Sequence, residues 1–381
     1  MSSPAELGRR SASADRGAIA AAHVDVMGRR RRVRVPLMAL GMLSLVAALA
    51  GGLARLGWSL PVAAPLVAFH GPLMVAGFLG TVIGLERAVA LGRAWAYGAP
   101  IASGLGALAL ATGGPGGPEL MLLGSVVMVA VFVAILRRQA ALFTVVMALG
   151  ALCWVIGQAL WLAGQPMHRV VWWGAGFLVL TIVGERLDLS RLQRPTAASR
   201  LAFVAAAGVL LVGLGFAALA PHDGVRLVGA GFVALAAWLG AFDVARRTVR
   251  GSGLTRFIAV ALLSGYAWLA VAGLLLLRWP HVAAGAQYDA ILHALFVGFV
   301  FSMIFGHAPI IFPAVLGVRV AYRPIFYLPL GLLHASLVLR IVGDVASWLA
   351  GRQWGGLLNA LAIVLFFAVV VYGVAGPRPR V

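Results

Sequence analysis

Apolar stretches long enough to cross a lipid bilayer follow one another along almost the whole sequence. A membrane-spanning helix needs about 20 mainly apolar residues. Of the 381 residues, 62% are hydrophobic and only 11% are charged, and the mean hydropathy is +1.00. Water-soluble domains do not reach such values. The sequence therefore predicts an all-α, polytopic membrane protein that has the lipid bilayer as its surroundings.

The apolar stretches predict about twelve transmembrane helices, which would form a single domain over residues 35–375. The loops between them are too short to hold a soluble domain. The predicted helices cover residues 35–57, 62–84, 95–112, 119–136, 140–163, 169–185, 199–220, 225–243, 256–278, 288–312, 325–342 and 355–375.

All thirty basic residues are arginines, and their positions predict the orientation of the chain. With twelve helices, 24 of the 30 lie on the side that carries both termini; the other six are Arg55, Arg169, Arg226, Arg278, Arg340 and Arg352. Because basic residues concentrate in cytoplasmic loops, we expect a multi-pass protein of a bacterial cell membrane with both termini in the cytoplasm. Residues 1–34 would then form a disordered basic tail, and residues 376–381 a short C-terminus. Membrane topology accounts for the net charge of +19, so nucleic acid is not expected as a partner.

An eleven-residue pattern recurs in the second, sixth and tenth predicted helices. GFLGTVIGLER at 77–87 and GFLVLTIVGER at 176–186 agree at six positions, and GFVFSMIFGHA at 298–308 is a weaker third copy in which His307 stands in place of the glutamate. The pattern predicts three pseudo-repeats of four helices, the alternative being chance similarity among glycine- and leucine-rich helices. The Glu-Arg pairs that end the first two copies predict ion pairs that anchor these helices at the membrane surface.

Four histidines fall inside predicted helices, where a polar ring is costly unless it is hydrogen-bonded or binds a ligand. These are His70, His293, His307 and His334. His70 and His293 would lie at similar depths, roughly 12 and 8 Å below the surface opposite the termini. His293 and His307 are separated by roughly 21 Å along one helix and cannot bind the same ion. His70 and His293 thus form one candidate pair, and His307 and His334 a looser second pair.

The sequence around these histidines suggests further features of a site. Pro72 cannot donate a backbone hydrogen bond, so His70 is expected at a local kink. Arg340 would lie near the surface opposite the termini, where it could pair with Asp344 or with a carboxylate of a bound ligand. His168 and His281 flank the sixth and tenth helices on that same side, and imidazole is a suitable ligand for copper.

The chain resembles subunit I of the haem-copper oxidases in its twelve helices and in its histidines in helices 2 and 10. It is more closely similar to the NnrS family of haem- and copper-containing membrane proteins associated with nitric oxide stress. That resemblance lies in HGPLMVAGF at 70–78, in residues 293–307 and in LVLRIVG at 337–343. It implies a low-spin haem b held by His70 and His293, and copper as a second cofactor. The oxidase copper centre is not expected, because helix 7 contains no pair of adjacent histidines.

Three interpretations of the function remain open at this stage. The first is an NnrS-like haem-binding protein in nitric oxide tolerance or respiratory electron transfer, with a redox partner or respiratory complex. The second is a proton-coupled secondary transporter whose intramembrane histidines relay protons. The third is a cofactor-free assembly partner of a respiratory complex. The sequence leaves open whether the protein catalyses a reaction.

Overall fold

The computed structural model describes residues 33–191 and 196–375, in which the chain is helical and contains no β-strand. Twelve helices are long and apolar enough to span a membrane, which confirms the predicted all-α, polytopic fold. They are α1 (Val33–Arg55), α2 (Ala64–Leu91), α3 (Ala94–Thr112), α4 (Gly117–Arg138), α5 (Leu142–Leu162), α6 (Met167–Ser190), α7 (Ala197–Phe216), α8 (Pro221–Phe242), α9 (Gly253–Arg278), α10 (Ala286–Leu316), α11 (Pro324–Val345) and α12 (Leu349–Val374).

The helix boundaries differ from the predicted ones by a few residues. Helix α1 begins at Val33, so residues 33 and 34, which were assigned to the tail, are helical. The rest of the predicted tail, residues 1–32, and the predicted C-terminus, residues 376–381, lie outside the described residues.

Glycines with left-handed backbone conformations end several of the helices. Gly92 ends α2 with φ 70°, Gly113 ends α3 with φ 72° and Gly317 ends α10 with φ 66°. Only glycine adopts this conformation without a steric cost from Cβ. These positions allow the chain to turn sharply and re-enter the membrane after a short loop.

Both ends of the described chain lie on one side of the bundle, which we call the terminal face. Near the start of α1, the Arg34 guanidinium donates a hydrogen bond of 3.1 Å to the carbonyl of Val315 near the end of α10. Near the end of α12, the carbonyl of Gly373 accepts a hydrogen bond from the amide of Ala321, which follows α10. The other side is called the opposite face.

Helices α6 and α10 form the centre of the bundle. In their apolar stretches 72% and 61% of the residues are buried, against 33–50% in the other ten spans. Trp154 of α5 stacks on Phe177 of α6 with ring centroids 4.6 Å apart. Small residues allow helices in a membrane to pack closely. Gly229 of α8 and Gly273 of α9 are an example: a Cβ on Gly229 would lie 2.9 Å from the carbonyl oxygen of Gly273, and a Cβ on Gly273 would lie 2.6 Å from that of Gly229.

The recurring eleven-residue pattern is matched by the backbone geometry of α2 and α10. Each contains a π-helical segment, Leu73–Leu79 in α2 and Ala294–Val300 in α10. When Gly77 is aligned with Gly298, these segments begin and end at equivalent positions. Helix α6, in contrast, is α-helical throughout the corresponding region. The similarity of α2 and α10 thus extends from sequence to an unusual local conformation.

Candidate functional site

The π-helical segment of α2 begins three residues after His70, and that of α10 begins directly after His293. In α2, Phe69 departs from helical geometry with φ −111° and ψ 18°, and Pro72 lies just before the π segment. The kink predicted at His70 is therefore present. Single-turn π segments within α-helices occur often at functional sites, because they turn the preceding side chains relative to the rest of the helix.

His70 and His293 line one large cavity of about 600 Å³. The cavity reaches the opposite face, where residues 283–285 and His168 line it. Deeper in the bundle its wall is largely apolar and includes Trp154, Phe296 and Phe301. This volume is in the range of protein pockets that enclose small molecules and cofactors. The structure thus brings together the two histidines that the sequence placed at a common depth.

The hydrogen bonding of His293 leaves one of its ring nitrogens free to bind a ligand. Its Nδ1 lies 2.6 Å from the carbonyl oxygen of Asp289, one turn earlier in α10. Since a carbonyl oxygen can only accept, Nδ1 carries the proton and the lone pair is on Nε2. Histidines that bind metals commonly donate the other ring N–H to a carbonyl in this way, which fixes the orientation of the ring.

His70 presents the complementary feature, a buried ring nitrogen without a protein partner. Its Nδ1 is enclosed and has no well-aligned hydrogen bond among the described residues, although the backbone of Val67 lies near the ring. A buried polar atom of this kind is costly unless a ligand or water satisfies it. The two rings thus line one cavity from two different helices.

Four charged residues form a network where the cavity approaches the opposite face. Arg352 of α12 contacts Asp344 of α11 at 2.5 Å and Asp289 of α10 at 2.9 Å. Arg340 of α11 lies 3.6 Å from Asp344, the predicted pair, and 3.8 Å from Asp289. Arg55 also lines the cavity, so three arginines face two carboxylates there. This end of the cavity is suited to an anionic group.

A family relationship covers almost the entire described chain. The family model described as domain of unknown function DUF8744 matches residues 34–375. The chain belongs to the DUF8744 family. No curated protein matches the sequence. The DUF8744 match runs from α1 to the end of α12 and includes every residue of the large cavity.

The remaining candidate histidines are not brought together by the DUF8744 fold. Nδ1 of His334 accepts a hydrogen bond of 3.0 Å from the indole N–H of Trp268, so the proton of this imidazole is on Nε2. His334 lines neither the large cavity nor the smaller one.

The histidines near the opposite face are also separate from one another. His281 packs edge-on against His222 with ring centroids 6.4 Å apart, whereas His168 lines the large cavity. His307 lines a second, smaller cavity nearer the terminal face. In residues 33–191 and 196–375, no three histidine, cysteine or acidic side chains are arranged to hold a metal ion.

Two residues of the charged network, Asp289 and Arg352, were not singled out from the sequence. Each is a charged residue close to the end of a predicted apolar span, and such residues are functional candidates by position alone. Arg352 is one of the six arginines on the arginine-poor side, but its ion pairs with Asp289 of α10 and Asp344 of α11 depend on how the helices pack.

Proposed function

We propose that this protein is an NnrS-like haem-binding membrane protein that serves nitric oxide tolerance or respiratory electron transfer. His70 and His293 would be the two residues that hold the iron of one b-type haem. The observation that carries the proposal is that both rings line the same large cavity and that Nε2 of His293 has its lone pair free. The association with nitric oxide rests on the sequence resemblance to the NnrS family.

The residues that line the cavity fit a haem in three respects. A volume of about 600 Å³ suits a large planar ligand, two imidazoles from different helices could bind its iron, and the wall contains aromatic side chains. Arg340 and Arg55 provide positive charge for the propionate groups at the opposite face. When bound, the haem would supply an iron centre that can exchange electrons or bind a diatomic gas.

The protein's own contribution is to hold and orient this group. The carbonyl of Asp289 fixes the tautomer and the direction of the His293 ring. The π segments set the rotation of His70 and His293 relative to the part of each helix nearer the terminal face. Asp344, which is 1% exposed, holds Arg340 and Arg352 in place. The largely apolar wall deeper in the bundle would leave few polar groups for water to bind beside a bound ligand.

An absorption spectrum of the purified full-length protein tests the proposal. We expect a Soret band with resolved α and β bands, which His70→Ala and His293→Ala should each abolish. His334→Ala is the matched control, because it removes another intramembrane imidazole that lies outside the cavity, and His307→Ala is a second control. A colourless protein under haem-replete expression, or a normal spectrum in either cavity variant, would show the assignment to be wrong.

A proton-coupled secondary transporter is the second candidate. The observation in its favour is that α2 and α10 are both irregular beside a cavity that reaches one face, since interrupted helices often form transporter sites. The three predicted repeats of four helices all run in the same direction, however, whereas the repeats of secondary transporters are commonly inverted. Colourless protein that drives proton flux across proteoliposome membranes would support this candidate over haem binding.

A further inference from the structure

The smaller cavity, of about 90 Å³, lies between the large cavity and the terminal face. The rings of Phe78 and Phe301 separate the two, stacked with centroids 6.2 Å apart, and Phe78 lines the smaller cavity while Phe301 lines the larger. Glu86, Glu185 and His307 all line the smaller cavity. They occupy equivalent positions in the three copies of the eleven-residue pattern, so α2, α6 and α10 each contribute one titratable group.

Within residues 33–191 and 196–375, the charges around this cavity do not balance. Arg87 is the one cation that contacts the two glutamates among the described residues: it lies 3.5 Å from Glu86 and forms an ion pair with Glu185. Arg186 does not compensate the second carboxylate, because it is already paired with Asp243. Two carboxylates and one guanidinium leave one negative charge in a partly buried site.

The other charged groups nearby are paired with each other, and apart from Thr181 the remaining wall of the cavity is apolar. Asp188 of α6 is paired with Arg191. Helix α1 contributes Met38 and Met42 to the wall, and α12 contributes Phe367. An unbalanced charge in such surroundings costs free energy, which the uptake of a single proton removes.

Two polar atoms point to water or a proton inside the cavity. Nδ1 of His307 donates to the carbonyl of Met303 at 2.7 Å, so its Nε2 is left as a proton acceptor. Thr181 of α6 lines the cavity, is 2% exposed and has a buried hydroxyl without a partner. A cavity of this size has room for water molecules that would satisfy these atoms.

We propose that Glu86, Glu185, Arg87 and His307 form a buried proton-binding site that exchanges protons with water at the terminal face. One of the two glutamates holds the proton as a carboxylic acid. The proton leaves through cavity water to Nε2 of His307, which becomes an imidazolium as the carboxylate forms, and no electron is transferred. The side chains of Glu86 and Glu185 are 27% and 26% exposed near the terminal face, where α2 and α6 end.

Infrared difference spectroscopy on the full-length protein in lipid nanodiscs tests this site. The chain has only eleven acidic residues, so the carbonyl stretch of a protonated carboxyl is readily assigned. At neutral pH we expect such a band, shifted by transfer to D₂O and lost in Glu86→Gln or Glu185→Gln. Glu119→Gln, at the start of α4 away from the cavity, is the control and should leave the band unchanged.

A second variant tests the role of His307 separately. His307→Phe removes the proton acceptor and should keep the carboxyl band while slowing its shift in D₂O at least tenfold. The absence of a protonated carboxyl band in the unaltered protein, or its survival in both glutamine variants, would overturn the proposal. An unchanged exchange rate in His307→Phe would overturn the exit through His307. None of these readouts requires haem, so they are independent of the proposed function.

Discussion

Arg186 and Asp243 form a bidentate ion pair that is almost completely removed from solvent. The two hydrogen bonds measure 2.8 and 2.9 Å, and the side chains are 3% and 1% exposed. Oδ1 of Asp243 also accepts a hydrogen bond of 2.7 Å from the amide of Ala245. The pair therefore joins the end of α6 to the short turn that follows α8.

We expect Arg186→Met to lower the free energy of unfolding strongly, because it leaves the Asp243 carboxylate buried without its partner. Removing one member of such a pair costs about 3–5 kcal/mol. The measurement is thermal unfolding in detergent, followed by circular dichroism. Arg226→Met is the control, since Arg226 forms an exposed pair with Asp223 and such pairs contribute little. Equal unfolding temperatures for the two variants would contradict this interpretation of the ion pair.

Helix α10 requires a small residue at Gly298, where it packs against α9. A Cβ on Gly298 would lie 2.5 Å from Cγ of Trp268 in α9. Trp268 donates the hydrogen bond to His334 of α11, so this contact holds three helices in register. Gly331 of α11 is also within a helix but has no neighbouring atom within 4 Å of the position of a Cβ.

Gly298→Ala should therefore destabilise the bundle by about 1–3 kcal/mol through overpacking, while Gly331→Ala should be neutral or slightly stabilising because alanine favours helix. Unfolding temperatures of both variants in the same detergent provide the comparison. If the unfolding temperature of Gly298→Ala is not below that of Gly331→Ala, α9 and α10 are not in close contact at Gly298 and Trp268.

Residues 33–191 and 196–375 form a bundle of twelve spans that begins and ends on one face, and the arginine distribution predicts that this face is cytoplasmic. Ser252, between α8 and α9, is exposed at the terminal face, and Ala163, after α5, is exposed at the opposite face. The chain has a single cysteine, Cys153, which is buried and should not react with a polar reagent.

Single cysteines at these two positions test the orientation directly. In intact cells, a membrane-impermeant maleimide should label Ala163→Cys and not Ser252→Cys, whereas lysed cells should show labelling of both. The unaltered protein is the control for Cys153. Labelling of Ser252→Cys in intact cells would mean that the terminal face is external.

The sequence by itself determined the features that depend on one helix at a time. Every span in a bilayer must satisfy its backbone internally and present apolar side chains to lipid, so twelve helices could be predicted from length and hydropathy. The kink at His70 followed from Pro72, and the pairing of Arg340 with Asp344 followed from their spacing of four residues. The common depth of His70 and His293 followed from counting residues along two helices.

The tertiary structure alone decided which side chains meet across helices. Arg87 pairs with Glu185 of another helix as well as with its neighbour Glu86, and Arg186 pairs with Asp243 and not with Glu185. His334 faces Trp268 and not the large cavity. These outcomes depend on the rotation of each helix about its axis, and a helix that is apolar on nearly all sides carries little information about that rotation. Packing of glycines and aromatic rings between helices sets it, and the composition of a single span does not contain that information.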